Sequence, residues 1–356
     1  MHRLPQRTSL VAQTVEVLRE AMRVGEWPRW LPGEHELSRR LHVSRVTLRA
    51  ALLELEREKC IRGGQGRRRE ILKLTPEASV GPSPQRTVVM LAGLPMHQMP
   101  NAAVLWVDKL REHLAEAGWL MEYHESAAAL RREPGPALLD LQERLRPAVW
   151  ILYRSTLEMQ RWFSERHLPV VLAGSPHPGT ELSSVDVDFS ACCRHAAGRM
   201  TAFGHEHLAI IRPDSRNAGD IESVVGFETG AAGRKVTSLL HQGSVSSLAL
   251  GLEKLMSAKP RPTALFVFHV PHLLTVLGWL QQQGFSVPRD VSVVCRDHDP
   301  LLEHMLPTPT HYAPNMPLFA RKLSRKVMAL LTGEAAAAKA VRIMPNFIRG
   351  GTLERH

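Results

Sequence analysis

Thr263-Ala264-Leu265-Phe266-Val267-Phe268-His269-Val270-Pro271-His272-Leu273-Leu274-Thr275-Val276-Leu277-Gly278-Trp279-Leu280 carries no Asp, Glu, Lys or Arg. Its length approaches that of a membrane span, so the choice between a bilayer and a folded core rests on its middle. His269, Pro271 and His272 interrupt the apolar run there. A strand over Thr263 to Phe268, followed by a helix with Pro271 in its first turn, explains the same residues without a bilayer, because proline's missing N–H is unpaired at that position anyway.

Working outward, the same alternation recurs. Strands are expected over Thr87 to Ala92, Trp119 to His124, Ala148 to Leu152, Pro169 to Ala173, Leu208 to Arg212, Val245 to Leu250, Thr263 to Phe268 and Val291 to Cys295. Helical patterns such as Ala102 to Ala117, Leu157 to Arg166, Ala191 to Phe203 and His272 to Gln283 lie between most of them. Repeated strand-helix order argues for an α/β fold with parallel sheets covered on both faces, whose ligands bind beyond the carboxyl ends of the strands. About 270 residues is long for one such layer; two similar lobes with a cleft between them fit better.

The chain has 356 residues, 45 Lys+Arg against 35 Asp+Glu and a hydrophobic content of 44%. That balance excludes wholesale disorder and fibrous repeats. The positive excess is uneven: residues 1 to 86 hold 17 Lys+Arg and 10 Asp+Glu, a net +7, while the remainder nets +3. A small basic module suited to a polyanion is thus joined to a nearly neutral larger domain. The expected division is residues 1–75, a linker over 76–86 containing Pro76, Pro82 and Pro84, and residues 87–356. Cys60, Cys192, Cys193 and Cys295 show no metal-ligand spacing and read as reduced thiols. No secretory leader is visible in Met1 to Met22, and a cytoplasmic location is expected. Ala335 to Ala338 is the one low-complexity patch.

In the basic module, Val11, Val15, Leu18 and Met22 recur at three- and four-residue steps before Gly25, giving a first helix. A second runs from about Glu34 to Leu41 and a third from Arg45 to about Lys59, with Ser44 as its N-cap and Leu48, Ala51, Leu52 and Leu55 as its buried stripe. Arg45 and Arg49 share another face near the start of that helix, where guanidinium groups can reach guanine edges or phosphates. Gly63-Gly64-Gln65-Gly66 and Arg67-Arg68-Arg69 then read as a hairpin tip lying on a DNA backbone or in a minor groove.

Leu31-Pro32-Gly33-Glu34-His35-Glu36-Leu37, Val43 to Leu52 and the Gly64 to Gly66 turn together resemble the winged helix-turn-helix of GntR-type transcription regulators over residues 8 to 74. The resemblance implies double-stranded DNA as a partner, with Arg45, Thr47 and Arg49 reaching it and Gly66 shaping the wing. Ser44, Gln65, Arg67 and Arg68 are further candidate DNA contacts. His35 is another, although the family often has an arginine there.

The larger part resembles the effector domain of LacI-type regulators, related to periplasmic sugar-binding proteins. The carrying motifs are Ser184 to Asp188, Gly204 to Ile211, Val225-Gly226-Phe227, Arg261 to Phe266 and Val287 to Val294. The resemblance implies an N-terminal winged helix-turn-helix joined to a two-lobed periplasmic-binding-protein-like domain. It implies a homodimer on a pseudo-palindromic operator, acting more often as a repressor, whose affinity is tuned by a small-molecule effector such as a sugar or related metabolite. Candidate effector contacts are Asp297, His269, His298, Arg212 and Ser223. The departures fall on this cleft: Ser223 stands where the family usually has arginine, His269-Val270 where Asn-Asp is common, and Cys295-Arg296 where a glycine-aromatic pair is usual.

His269, His272, Asp297, His298 and Asp299 follow two strand ends, and imidazole with carboxylate suits zinc or manganese. No spacing enforces coordination, so ordinary cleft lining is the expectation and no metal or cofactor is assigned. His205 and His207 read as surface residues. A solute-binding protein conflicts with the missing leader and the basic module. An enzyme is the other competing class, but Gly-x-Ser-x-Gly, Gly-x-x-x-x-Gly-Lys and Gly-x-Gly-x-x-Gly are all missing from strand-to-helix turns, and no catalytic residue is assigned.

Overall fold

The structure, a computed structural model, describes residues 10–23, 27, 29–41, 43–58, 60–63, 69–72, 86–333 and 339–356. Its chain divides into two compact units, Met1–Ser83 and Pro84–His356. Gln65, Gly66, Arg67 and Arg68, most of the linker (73–85) and the alanine patch lie outside the described residues.

The first unit contains α1 (Leu10–Arg23), α2 (Glu34–Arg40), α3 (Arg45–Arg57), β1 (Ile61–Arg62) and β2 (Glu70–Ile71). Val15, Leu18 and Met22 of α1 pack with Leu37, Leu48, Ala51, Leu52 and Leu55 in a single core. Ser44 Oγ accepts from the Thr47 amide at 3.1 Å, a cap that stabilises the start of α3 by about 1 kcal/mol. β1 and β2 are antiparallel, and Trp30 bridges to Glu70, so the pair is flanked by the segment that precedes α2.

In the second unit, β3 (Thr87–Ala92), α4 (Asn101–Glu116), β4 (Leu120–Glu125), α5 (Gly135–Leu145), β5 (Val149–Tyr153), α6 (Leu157–Glu165), β6 (Val170–Ala173) and β7 (Ser183–Val187) build the first lobe. The chain then crosses into α7 (Phe189–Ala202), β8 (His207–Pro213), α8 (Ala218–Gly230), β9 (Lys235–His241), α9 (Val245–Ser257), β10 (Ala264–Val267), α10 (Val270–Gln282), β11 (Ser292–Cys295) and β12 (Thr310–Ala313). It returns through α11 (Met316–Leu331) and β13 (Ala340–Ile343) and ends with β14 (Asn346–Ile348) in the second lobe. The sheet orders are β13-β7-β6-β5-β3-β4 and β14-β12-β11-β10-β8-β9. Every pairing in them is parallel except β12 with β14. This is the expected α/β, two-lobed architecture with parallel sheets, and three crossings between lobes place a cleft at the strands' carboxyl ends.

The decisive stretch folds as read. All four residues of β10 are buried between β8 and β11, and Pro271 occupies the first turn of α10. Among the described residues no helix is long and apolar enough to cross a membrane.

Two readings need correction. Val245 to Leu250 belongs to α9 rather than to a strand: Ser244 caps the helix by accepting from Ser247, and Leu248, Leu252 and Leu255 bury its inner face. A short apolar run fits either period, and the cap together with the continuation to Leu255 decides for helix. The strand of this region is β9, a half-exposed edge. His205 and His207 are buried, at 2% and 6% exposure. His205 bonds Thr263 Oγ1 and the Glu354 carbonyl, and His207 bonds the Pro260 carbonyl and Thr237 Oγ1, so each ring's polar atoms are satisfied inside the protein.

α7 and α8 pack closely because α8 presents Gly226 and Gly230 one turn apart. A Cβ at Gly226 would lie 2.8 Å from Ser190 Cα, and one at Gly230 would lie 2.8 Å from Arg194 Cα. Small residues at both positions let the two backbones approach, and this fixes the start of α8 at the cleft.

Candidate functional site

The interlobe cleft encloses about 170 Å³. The first lobe supplies an aromatic wall in which Trp106 meets Tyr153 at 5.7 Å and Phe319 at 5.1 Å between ring centroids. Asp186, on β7, also faces the cleft from this side. From the second lobe come Asp220 in the first turn of α8, His269 after β10, and Arg296, Asp297 and His298 after β11. These positions follow from parallel topology, which brings all strand carboxyl ends of one sheet to one edge.

Arg296 organises the polar end. Its Nη1 donates to Asp220 Oδ1 at 2.7 Å and to Ser223 Oγ at 3.0 Å, and its Nε donates to Asp297 Oδ1 at 3.1 Å. The guanidinium carbon lies 4.5 Å from the Phe189 ring centre and 4.1 Å from that of Phe268. Asp297 Oδ2 in turn pairs with His269 Nδ1 at 2.7 Å. Burial alone would raise both carboxylates, but Arg296 and then His269 outweigh it and hold Asp220 and Asp297 below the ordinary carboxylate range. Asp186 behaves oppositely. Burial pushes it up to about 6, against the lowering effect of its hydrogen bonds from Ser175 Oγ and the Val187 amide.

Among the described residues several polar contacts join the lobes, one of them from Ser175 Oγ to Glu222 Oε2 at 3.0 Å. Asn101 Nδ2 donates to Asp299 Oδ2 at 2.8 Å, Arg216 pairs with Glu158, and Arg342 Nη2 donates to Glu222 Oε1 at 2.7 Å. The lobes are therefore closed on the cleft.

Of the expected effector contacts, Asp297, His269 and His298 line this cleft. Ser223 and Arg212 are not among the lining residues. Ser223 lies fully buried behind Arg296, bonded to the Gly219 carbonyl, and Arg212 donates to the Pro213 carbonyl. The position that lacks its expected arginine is thus reached by a guanidinium from a different strand. Sequence reading passed over Arg296, Asp186 and Asp220 as site residues. The available signal was placement just past a strand end for Arg296, and in the first turn of the helix after β8 for Asp220.

Of the five residues considered for a metal, His269 and Asp297 pair with each other, and the remaining three do not join them in a coordinating group. Asp299 is engaged by Asn101, His298 Nδ1 pairs with His311 Nε2 at 3.1 Å, and His272 packs edge-on against His241. Among the described residues no group of three His, Cys, Asp or Glu is placed to hold a metal ion.

In the first unit, His35, Ser44, Arg45 and Arg49 are exposed, and Thr47 is half-buried. Thr47 Oγ1 lies 2.8 Å from Ser44 Oγ, and Arg49 Nε donates to Glu34 Oε2 at 2.8 Å.

Residues 197–353 match the family description "Periplasmic binding protein-like domain". Among individual relatives, the HTH-type transcriptional regulator CelR of Thermobifida fusca is 27% identical over 49% of this chain and 54% of its own length. The HTH-type transcriptional repressor PurR of Vibrio cholerae is 29% identical over 30% of this chain and 34% of its own. The chain thus spans about half, or a third, of the length of these relatives. Two solved structures share the fold. A LacI regulator from Bacillus cereus subsp. cytotoxis has TM-score 0.67 and 20% identity, covering 76% of this chain and 99% of that one. A LacI family regulator from Enterococcus faecium with bound ribose has TM-score 0.62 and 14% identity, covering 75% and 98%.

Proposed function

We propose that the protein is a transcription regulator, acting as a repressor, that binds operator DNA through residues 1–75 and a small-molecule effector through the cleft of residues 87–356. The reading rests above all on the pairing of a basic module, whose capped third helix exposes Arg45 and Arg49, with a closed two-lobed cleft of the kind seen in the named regulators. The module is a GntR-type winged helix-turn-helix in this reading, with Gln65, Gly66, Arg67 and Arg68 at the wing. The protein is a cytoplasmic homodimer without enzymatic activity, set on a pseudo-palindromic site with half-sites about one DNA turn apart. Effector binding changes the relation of the two readers with a coupling of about 1–3 kcal/mol.

The test is selection of duplex sequences by the full-length protein, followed by salt titration of the selected site. Wild type enriches an inverted repeat, and Arg45→Ala with Arg49→Ala abolishes its preference over random competitor. Phosphate-contacting arginines each contribute about one unit to the salt slope, which shrinks accordingly when Arg67 or Arg68 is replaced. Equal affinity for selected and random duplex overturns the reading.

A further inference from the structure

We propose that the cleft takes a small organic cation, a ligand whose protonated amine sits against Asp186 and whose body lies on the aromatic wall of Trp106 and Phe319. The inference rests on the effector reading of the cleft and names its ligand class. Buried charges are normally paired, and an unpaired one marks a missing partner.

Asp186, Asp220 and Asp297 line the cleft. Asp220 and Asp297 share Arg296, and Asp297 also pairs with His269, so Asp186 is the lining carboxylate for which no ion pair is seen among the described residues. Asp186 is 8% exposed, and its hydrogen bonds come from neutral groups, the Ser175 hydroxyl and the Val187 amide. Two charged groups approach it, Arg342 from β13 and Glu222 from α8, but they form a two-pronged pair with each other, so the guanidinium's charge is already matched. The remaining lining guanidinium, Arg154, stands at the mouth, where the cleft meets the outer groove formed with Asp214 and Arg216.

The opposite side of the cleft already shows how aromatic rings and carboxylates hold a cation. Arg296 lies between two aromatic faces and two carboxylates, the combination of ring quadrupole and anion that recognises organic ammonium groups. Trp106, Tyr153 and Phe319 with Asp186 offer the same chemical groups along the cleft. An anionic ligand would instead lie beside Asp186 and find the Nε and Nη1 donors of Arg296 engaged.

The experiment is isothermal titration of the full-length protein with matched pairs differing in an amine for a hydroxyl, phenethylamine with 2-phenylethanol and glucosamine with glucose, and with ribose as neutral reference. The expected result is that the amine of at least one pair binds tenfold or more tightly than its alcohol. Its affinity falls as pH is lowered from 7.5 to 5.5, because protonating Asp186 removes the counter-charge. Asp186→Asn, checked for folding by thermal unfolding, brings the pair to parity; the pH series on wild type reads the same charge without a variant. If an alcohol or ribose binds as tightly as any amine, the cation inference falls and the effector reading stands. If all five probes are silent and none alters operator affinity, both fall.

Discussion

Arg296 Nη1 lies 2.7 Å from Asp220 Oδ1, joining the end of one strand to the first turn of a helix 76 residues earlier, with side chains only 3% and 9% exposed. This pair and its neighbour Asp297 carry the polar end of the cleft, and the first prediction concerns them.

Replacing Arg296 with alanine leaves Asp220 and Asp297 buried without their shared cation. Breaking a buried pair in this way costs about 3–5 kcal/mol. Arg296→Lys restores little, since a point charge reproduces neither the planar fork nor the stacking on Phe189 and Phe268. Urea unfolding followed by tryptophan fluorescence measures both; a loss below 1 kcal/mol in the alanine variant would show that the network is dispensable.

His272 supplies a pH dependence. Burial, then the neighbouring rings of His241 and His269, hold its pKa down to about 4, against an ordinary value of 6.5. The unfolded chain therefore takes up a proton that the folded one resists. This contribution is complete above pH 6.5 and is lost as pH falls toward 4. Its size is on the order of 1–2 kcal/mol, discounted because the ring is only partly buried. Unfolding free energies between pH 7.5 and 4.5 should fall less steeply in His272→Gln than in wild type, and identical slopes would contradict the assignment.

Gly226→Ala drives a methyl into the backbone of α7 at Ser190. Backbone cannot yield as a side-chain end can, so the cost lies at or beyond the upper part of the 1–3 kcal/mol range for overpacking. Gly278→Ala, where nothing lies within 4 Å, serves as the control. Equal stability of the two variants would refute the close-approach argument.

Glu34 holds two arginines, Arg49 Nε at 2.8 Å and Arg69 Nη1 at 3.1 Å, and Arg49 foremost keeps its carboxyl below the ordinary range. Glu34→Gln should destabilise the first unit by about 1 kcal/mol, as expected for a half-exposed network. It also frees Arg49, so affinity for random duplex rises and its salt dependence steepens. Weaker non-specific binding in a folded variant would show that Glu34 orients Arg49 for DNA rather than competing with it.

Much of this was legible in the residues. The strand-helix alternation from Thr87 to Cys295, the amphipathic first helix and the Ser44 cap each rest on neighbours within a few positions, where periodicity and capping chemistry act. The misread strand at Val245 shows the limit of the same logic, since six residues cannot distinguish two periods. β7, β9, β12, β13 and β14 fall outside the expected strands, because their pairing partners are remote in sequence and their polar residues mask the alternation.

By itself the sequence determined two modules, the alternation that makes parallel sheets, and therefore the edge at which a cleft must form. Only the tertiary structure decided what fills that edge. It brought Arg296 beside Ser223, buried Asp186 without a cation of its own, and, of the five residues considered for a metal, paired His269 with Asp297 and gave Asp299, His298 and His272 other partners. The reason is physical: local propensity is set by contacts along the chain, whereas charge pairing in a low-dielectric cleft is set by whichever distant side chain arrives there.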